Sequence, residues 1–509
     1  MQPYDCLNRL QFRRFLHYPK LSALKFTSKL SLLFYIFMYI MSEDNQLTRK
    51  NIFQLFKDAV SGKEQDFTTG SIRKAVFLLS IPMILEMLME SIFALVDIIY
   101  VSRVSVNAVA TIGLTESVIT LVYAVAIGLS MAATAIVARR IGEKDTKGAN
   151  QAAIQVLILG VTIALIISVI GILFSKEILG LMGAEPDLIE EGFGYTKILL
   201  GGNITIMLLF LINAIFRGAG NASIAMWTLI LSNGLNIILD PIFIFGLGPI
   251  PAYGVEGAAI ATTIGRGTAV VWQLIALFYG FGRIKIALKD IVIRVSIMLN
   301  LIKVSLGGIG QFLIGTSSWV FLIRIMSEFG SEVLAGYTIA IRIMMFTMMP
   351  AWGMSNAAAT LVGQNLGAKK PDRAEKSVWK TGKYAAYFMG FVSIIYVVFA
   401  STFLSWFSDN PAVIKSGSLC LQIIAAGYVF YAYGMVVIQS FNGSGDTKTP
   451  TYINFVCFWL FQLPFAYIEA IVLDAGPIGV FLSITFAEIL IAIIGIWLFK
   501  KGKWKTVQV

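Results

Sequence analysis

The chain of 509 residues holds one histidine, three cysteines and only 14% charged side chains. Each shortage removes a class of function. His17 stands alone, so catalysis by a histidine base and histidine-ligated metal centres are excluded. Cys6, Cys420 and Cys457 give neither a disulfide framework nor zinc spacing. A soluble protein carries roughly 25% charged residues. With 14% charged and 57% hydrophobic residues, this chain could not cover its surface with side chains that water solvates. Mean hydropathy is +0.79, and the chain reads as a polytopic membrane protein. The formal charge of +11 does not point to nucleic acid, because the basic residues sit mostly in short loops between apolar runs.

What the chain does contain is a repeat. Phe216-Arg217-Gly218-Ala219-Gly220-Asn221 returns 225 positions later as Phe441-Asn442-Gly443-Ser444-Gly445-Asp446. The same offset pairs Gly128 with Gly353, Ala133 with Ala358, Gly142 with Gly367 and Gly192 with Gly417. One register held over that length means that a unit of about 200 residues was duplicated, and a duplicated apolar half is the plan of secondary transporters. Runs of about 20 apolar residues can cross a bilayer as helices. Six fall in the first half, at roughly 75–101, 108–137, 150–174, 193–215, 225–246 and 255–279. Six more fall at roughly 302–327, 334–362, 380–405, 415–439, 451–473 and 477–499. The expected fold is all-α, with twelve transmembrane helices in two six-helix bundles. An even number per half makes the bundles parallel repeats. The expected units are a tail (1–70), a first bundle (71–285), a connector (286–300), a second bundle (301–503) and a short end (504–509).

One set of loops carries Arg139, Arg140, Lys144, Lys147, Arg217, Arg283, Lys285, Lys369, Lys370 and Arg373. The opposite set carries Glu177, Glu185, Asp187, Glu190, Glu191, Glu328, Glu332 and Asp409. Excess Lys and Arg mark the cytoplasmic side, so both termini are expected there. In the tail, Leu30–Met41 is apolar but too short to span, and no cleavage pattern follows it. Residues 1–40 read either as an upstream extension ahead of a start at Met41 or as part of the tail. Residues 47–57 read equally as a surface amphipathic helix or a solvated tail.

Glu86, Glu90 and Asp97 lie on one face of the first span, within about 40° of one another and over about 16 Å of axis. An acidic side chain in hydrocarbon costs several kcal/mol unless it faces a cavity or a partner. For Glu86 the plain alternative is that it reaches interfacial water or a basic partner near the cytoplasmic end; for Glu116 in the second span it is an ion pair with Arg342. The fifth span puts Asn233, Asn236 and Asp240 on one face, and Pro241 frees a backbone carbonyl beside them. With Asn213 and Thr262 adding oxygens, this set suits a proton or Na⁺; the plain alternative is a helix-packing network. No organic cofactor is implied. Through the repeat, Glu86 maps to Gln311, Glu90 to Gly315 and Asp97 to Leu322, so the second half lacks the acids. It carries Trp319, Met345, Met349, Trp352 and Tyr431 instead, which with Gln311 would suit a broad apolar cavity.

These residues resemble the multidrug and toxic compound extrusion (MATE) family over about residues 71–500. The carriers are Phe93-Ala-Leu-Val-Asp97, Asn236-Ile-Ile-Leu-Asp-Pro241, and the repeated turn with Gly218 and Gly220 against Gly443 and Gly445. The resemblance implies two bundles forming a V, with substrate between them and export driven by entry of H⁺ or Na⁺. It makes Asp97, Asn236, Asp240, Asn213 and Thr262 the coupling residues, with Thr263 an alternative to Thr262. The seventh span carries no acid, which brings the chain closer to the DinF-like pattern. Glu86 and Glu90 fit neither pattern. The expected partners are small-molecule drugs or organic cations and the lipid bilayer, with the protein working as a monomer in a bacterial cytoplasmic membrane. Two other classes compete. A lipid-linked sugar flippase needs cations deep in its cavity, where Arg266, Arg324 and Arg342 are the main ones here. An intramembrane aspartyl enzyme would not call for duplicated halves with basic loops.

Overall fold

The computed structural model describes residues 49–101 and 103–509. The question of where translation starts, His17 and Cys6 lie outside them. The chain divides after Gln54, and of the first unit only Arg49–Gln54 is described, as helix continuing to Ser61. The second unit, Leu55–Val509, is one helical body.

The first half comprises helices Ile72–Val101, Val106–Gly142, Thr146–Leu173, a broken helix from Pro186 to Ala219, Ala222–Phe245 and Val255–Tyr279. The second comprises Val295–Met326, Ser331–Gly367, Pro371–Ser405, a broken helix from Pro411 to Ser444, a helix from Lys448 to Val472, and Pro477–Lys500. Eleven described helices are long and apolar enough to cross a membrane, and the bent pair meeting at Gly427 makes a twelfth. They are called here the first to twelfth spans. The break at Gly202 in the fourth span falls 225 positions before the 57° bend at Gly427 in the tenth.

Local chemistry sets the ends. Ser105, Asp145 and Asn410 cap the second, third and tenth spans by accepting from the backbone N–H of Ala108, Gly148 and Ala412. The repeated Gly-x-Gly turn is a helix stop. Gly220 (φ 90°) and Gly445 (φ 92°) take the left-handed conformation that closes the fourth and tenth spans, which a side chain disfavours. In the eleventh span, Phe455–Gln462 and Ile468–Val472 widen to π geometry on either side of Pro464.

Small residues let backbones meet where apolar attraction alone gives no grip. Gly218 lies against the Thr134 carbonyl and Gly443 against that of Ala359, the same contact made once in each half. At the end carrying the basic loops (the basic end), Gly142 lies on the Gln364 carbonyl and Gly367 on the Arg139 carbonyl. The second and eighth spans therefore cross backbone to backbone. Packing also exchanges between halves. The first span packs along the eighth, with Gly353 on the Met83 carbonyl, and the second packs along the seventh, with Gly128 on Ile309. Leu301 and Val304 join the first half's apolar core, and Ile84 packs on the second half's.

Two terminal segments strap the basic end. Trp227 donates to the Val60 carbonyl and Arg283 to that of Gln65, while Lys370 donates to Thr68 and Arg373 to Phe67, Thr69 and Gly70. At the other terminus Trp504 stacks on Phe499, Lys505 pairs with Glu375, and Arg139 donates to the Val507 carbonyl. Each segment touches both halves.

Candidate functional site

Two polar clusters sit among the spans of the first half. Pro241 cannot donate to the carbonyl four residues earlier, and its helix buries Asp240 and Asn236. Gly265 brings the sixth span against the Ser232 carbonyl, close enough for Thr262 to reach the fifth span. Asn236 Nδ2 then donates to Asp240 Oδ1 at 3.0 Å and to Thr262 Oγ1 at 3.1 Å. Asp97 of the first span lies where its charge acts on Asp240. Asp97 Oδ1, Asp240 Oδ2 and Asn236 Oδ1 are buried without a hydrogen-bond donor. Three buried acceptor oxygens without a donor are what a proton or a small hard cation would satisfy. Among the described residues, no group of three or more His, Cys, Asp or Glu is arranged as a metal site.

Glu116 borders this region from the second span and feels the charges of Arg342 and Arg266. Arg266 is buried; its Nη2 donates to the Tyr123 hydroxyl at 3.2 Å, and its guanidinium lies 5.2 Å from the centre of the Phe93 ring. It offsets part of the charge of Glu90, Asp97 and Glu116.

The second cluster lies nearer the basic end. Glu86 Oε1 accepts from Arg217 Nη1 at 2.8 Å and from Asn213 Nδ2 at 3.3 Å. Gln273 Nε2 donates in turn to Asn213 Oδ1 at 2.5 Å. Asn213 therefore bonds with Glu86 rather than with Asn236 and Asp240. Arg217, read from the sequence as a loop cation, belongs to the last turn of the fourth span, with its side chain only 12% exposed. Asn233 stays apart from its neighbours on the fifth span and donates to the Met89 carbonyl at 2.9 Å.

A cavity of about 210 Å³ opens beside this cluster, between the halves. The first half lines it with Glu86, Glu90, Met131, Phe210, Asn213 and Arg217; the second with Met349, Trp352, Asn356, Gln439 and Asn442. The structure thus brings Met349 and Trp352 together with the acids. The remaining candidates of the second half lie elsewhere. Gln311 bonds to Asn442 and the Thr447 carbonyl, Trp319 packs on the second core, and Met345 is exposed. Tyr431 lies near Glu488, a buried acid of the twelfth span. Sequence reasoning passed over Gln273, and it allowed Glu86 a basic partner without naming Arg217. The repeat offset held a signal for the pair, since it matches Glu86 with Gln311 and Arg217 with Asn442.

Duplicated six-helix halves around a carboxylate-lined cavity make a secondary transporter, not an enzyme. The MatE family model matches the chain twice, over residues 82–242 and 309–468, once in each half. The chain belongs to the MatE family. It is 27% identical to the probable multidrug resistance protein NorM of Thermotoga maritima, over 89% of this chain and 97% of that protein. It is 21% identical to the multidrug export protein MepA of Staphylococcus aureus, over 76% and 84% respectively. A multidrug resistance MATE family transporter solved in an outward-facing conformation superposes with TM-score 0.81 at 28% identity, covering 87% of this chain and 98% of that one.

Proposed function

We propose that this protein is an H⁺- or Na⁺-coupled antiporter that exports amphipathic organic cations across a bacterial cytoplasmic membrane by alternating access. The relatives are multidrug exporters, which supports drug export as the activity. The observation that carries the coupling is the trio of donorless buried oxygens on Asp97, Asn236 and Asp240. A cation or proton that enters here replaces missing hydrogen bonds, and leaving restores the cost, so occupancy can bias which end of the bundle is open. The basic loops make the strapped, tightly crossed end the cytoplasmic one, with the segments 60–70 and 504–507 beside it. The conformation seen is then closed to the cytoplasm. Glu86 and Glu90 in the inter-half cavity, beside Met349 and Trp352, favour a cation with an apolar body.

The test is ethidium efflux from cells or vesicles carrying the native chain and Asp97→Asn, under imposed H⁺ or Na⁺ gradients. Efflux should follow one gradient and be lost in Asp97→Asn. Gradient-driven efflux by Asp97→Asn at the native rate would overturn the coupling assignment.

A further inference from the structure

The two halves answer the same structural position in opposite ways. In the first, Glu86 and Arg217 form an ion pair at 2.8 Å across the first and fourth spans. In the second, the equivalent positions hold Gln311 and Asn442. Gln311 Nε2 donates to Asn442 Oδ1 at 3.0 Å, and Asn442 Nδ2 returns a bond to Gln311 Oε1 at 3.1 Å. The neutral pair is closed on itself and also holds the Thr447 carbonyl at 3.0 Å. The same helix–helix joint is therefore built without charge in one copy. Burying an ion pair carries a desolvation cost that a neutral pair avoids. Packing alone does not call for Glu86 and Arg217.

The ion pair is also incomplete. Glu86 is 1% exposed, and its Oε2 has no hydrogen-bond partner. Glu86 lines the cavity between the halves, where Glu90 adds a second carboxyl. Trp352 and Met349 face the same space from the eighth span, and an aromatic face with a thioether beside a carboxylate is how apolar cations are held.

We propose that Glu86 is the carboxylate that recognises the cationic head of the substrate, and that Arg217 is the internal counter-ion exchanged for it. The ligand class is a lipophilic organic cation whose charge sits against Glu86 and whose body lies on Trp352 and Met349. Arg217 holds Glu86 Oε1 when the cavity is empty and leaves Oε2 without a partner. The inference rests on the cation-export reading but separates from it, because it concerns binding and not coupling.

The decisive variant is Glu86→Gln with Arg217→Asn, which copies the pair already folded in the second half. Tetraphenylphosphonium binding to the purified full-length protein should weaken at least tenfold, while binding of the neutral dye Nile red should change less than twofold. Arg217→Asn alone removes the competitor and should tighten tetraphenylphosphonium binding. Three results overturn the proposal: tetraphenylphosphonium binding by the double variant within twofold of native, equal weakening for the neutral dye, or no binding by the native protein. A native protein that binds the cation but shows no gradient-driven efflux would instead sink the export reading and leave this site standing.

Discussion

The crossing of the second and eighth spans offers a direct handle on the conformational equilibrium. A methyl group at Gly142 would sit on the Gln364 carbonyl, and one at Gly367 on the Arg139 carbonyl. Both obstacles are backbone atoms, so no rotamer change can clear them. Overpacking of this kind costs about 1–3 kcal/mol. That cost falls only on the state in which the basic ends touch. Each substitution should therefore shift the balance toward opening at that end by roughly 5- to 150-fold, at about 1.4 kcal/mol per factor of ten. Spin labels on Lys147 and Lys376, both exposed on opposite halves near this end, would report the separation by pulsed electron resonance in a background without native cysteines. Gly142→Ala with Gly367→Ala should deplete the short-distance population and fill a longer one. An unchanged distance distribution, whether or not the protein also loses stability, would refute the reasoning.

Two further outcomes are expected. The Thr68 hydroxyl and backbone N–H both donate to Asp66 and hold its carboxyl below the ordinary value of 3.8. A carboxyl depressed in the folded state contributes fully above that value and loses its contribution as pH falls through the lowered one. Pepsin cleavage at Phe67 should therefore rise as pH falls below about 4 in the native chain, and should already be high at about pH 4 in Asp66→Asn; equal cleavage of the two at about pH 4 would count against this. Gly220→Ala puts a side chain at φ 90° and against Phe67, and should cost about 1–2 kcal/mol, seen as a lowered melting temperature. An unchanged melt would mean that the turn relaxes freely.

The scaffold was largely legible because apolar length and duplication are written directly in residue order. Twelve runs and a 225-residue register both appear in the structure. The grouping of the site was less legible. Asn213 groups with Asn236 in the sequence as a further oxygen and through the family resemblance, yet the fourth span turns it to Glu86 and Gln273. Arg217 read as a loop cation because a basic residue just before a Gly-x-Gly stop looks interfacial, whereas its long side chain reaches back along the helix to Glu86. Which spans touch was hidden for a different reason. In lipid, faces toward neighbours and faces toward hydrocarbon are both apolar, so the periodicity that marks a buried stripe in water is weak. The exchange of the first and second spans with the eighth and seventh left no such trace.

That exchange separates two things which the repeat makes look identical. The covalent link between the halves is the connector around Leu288–Asp290, which Gln151 and Gln155 of the third span pin to the first half through the Asp290 and Val292 carbonyls. The mechanical joint lies elsewhere, along the seams where the first span rides on the eighth and the second on the seventh. Any rocking of one half must slide these long helices past each other while the connector stays fastened. On the proposed alternating-access reading the molecule is hinged along its length, more like two interleaved combs than two halves of a clasp.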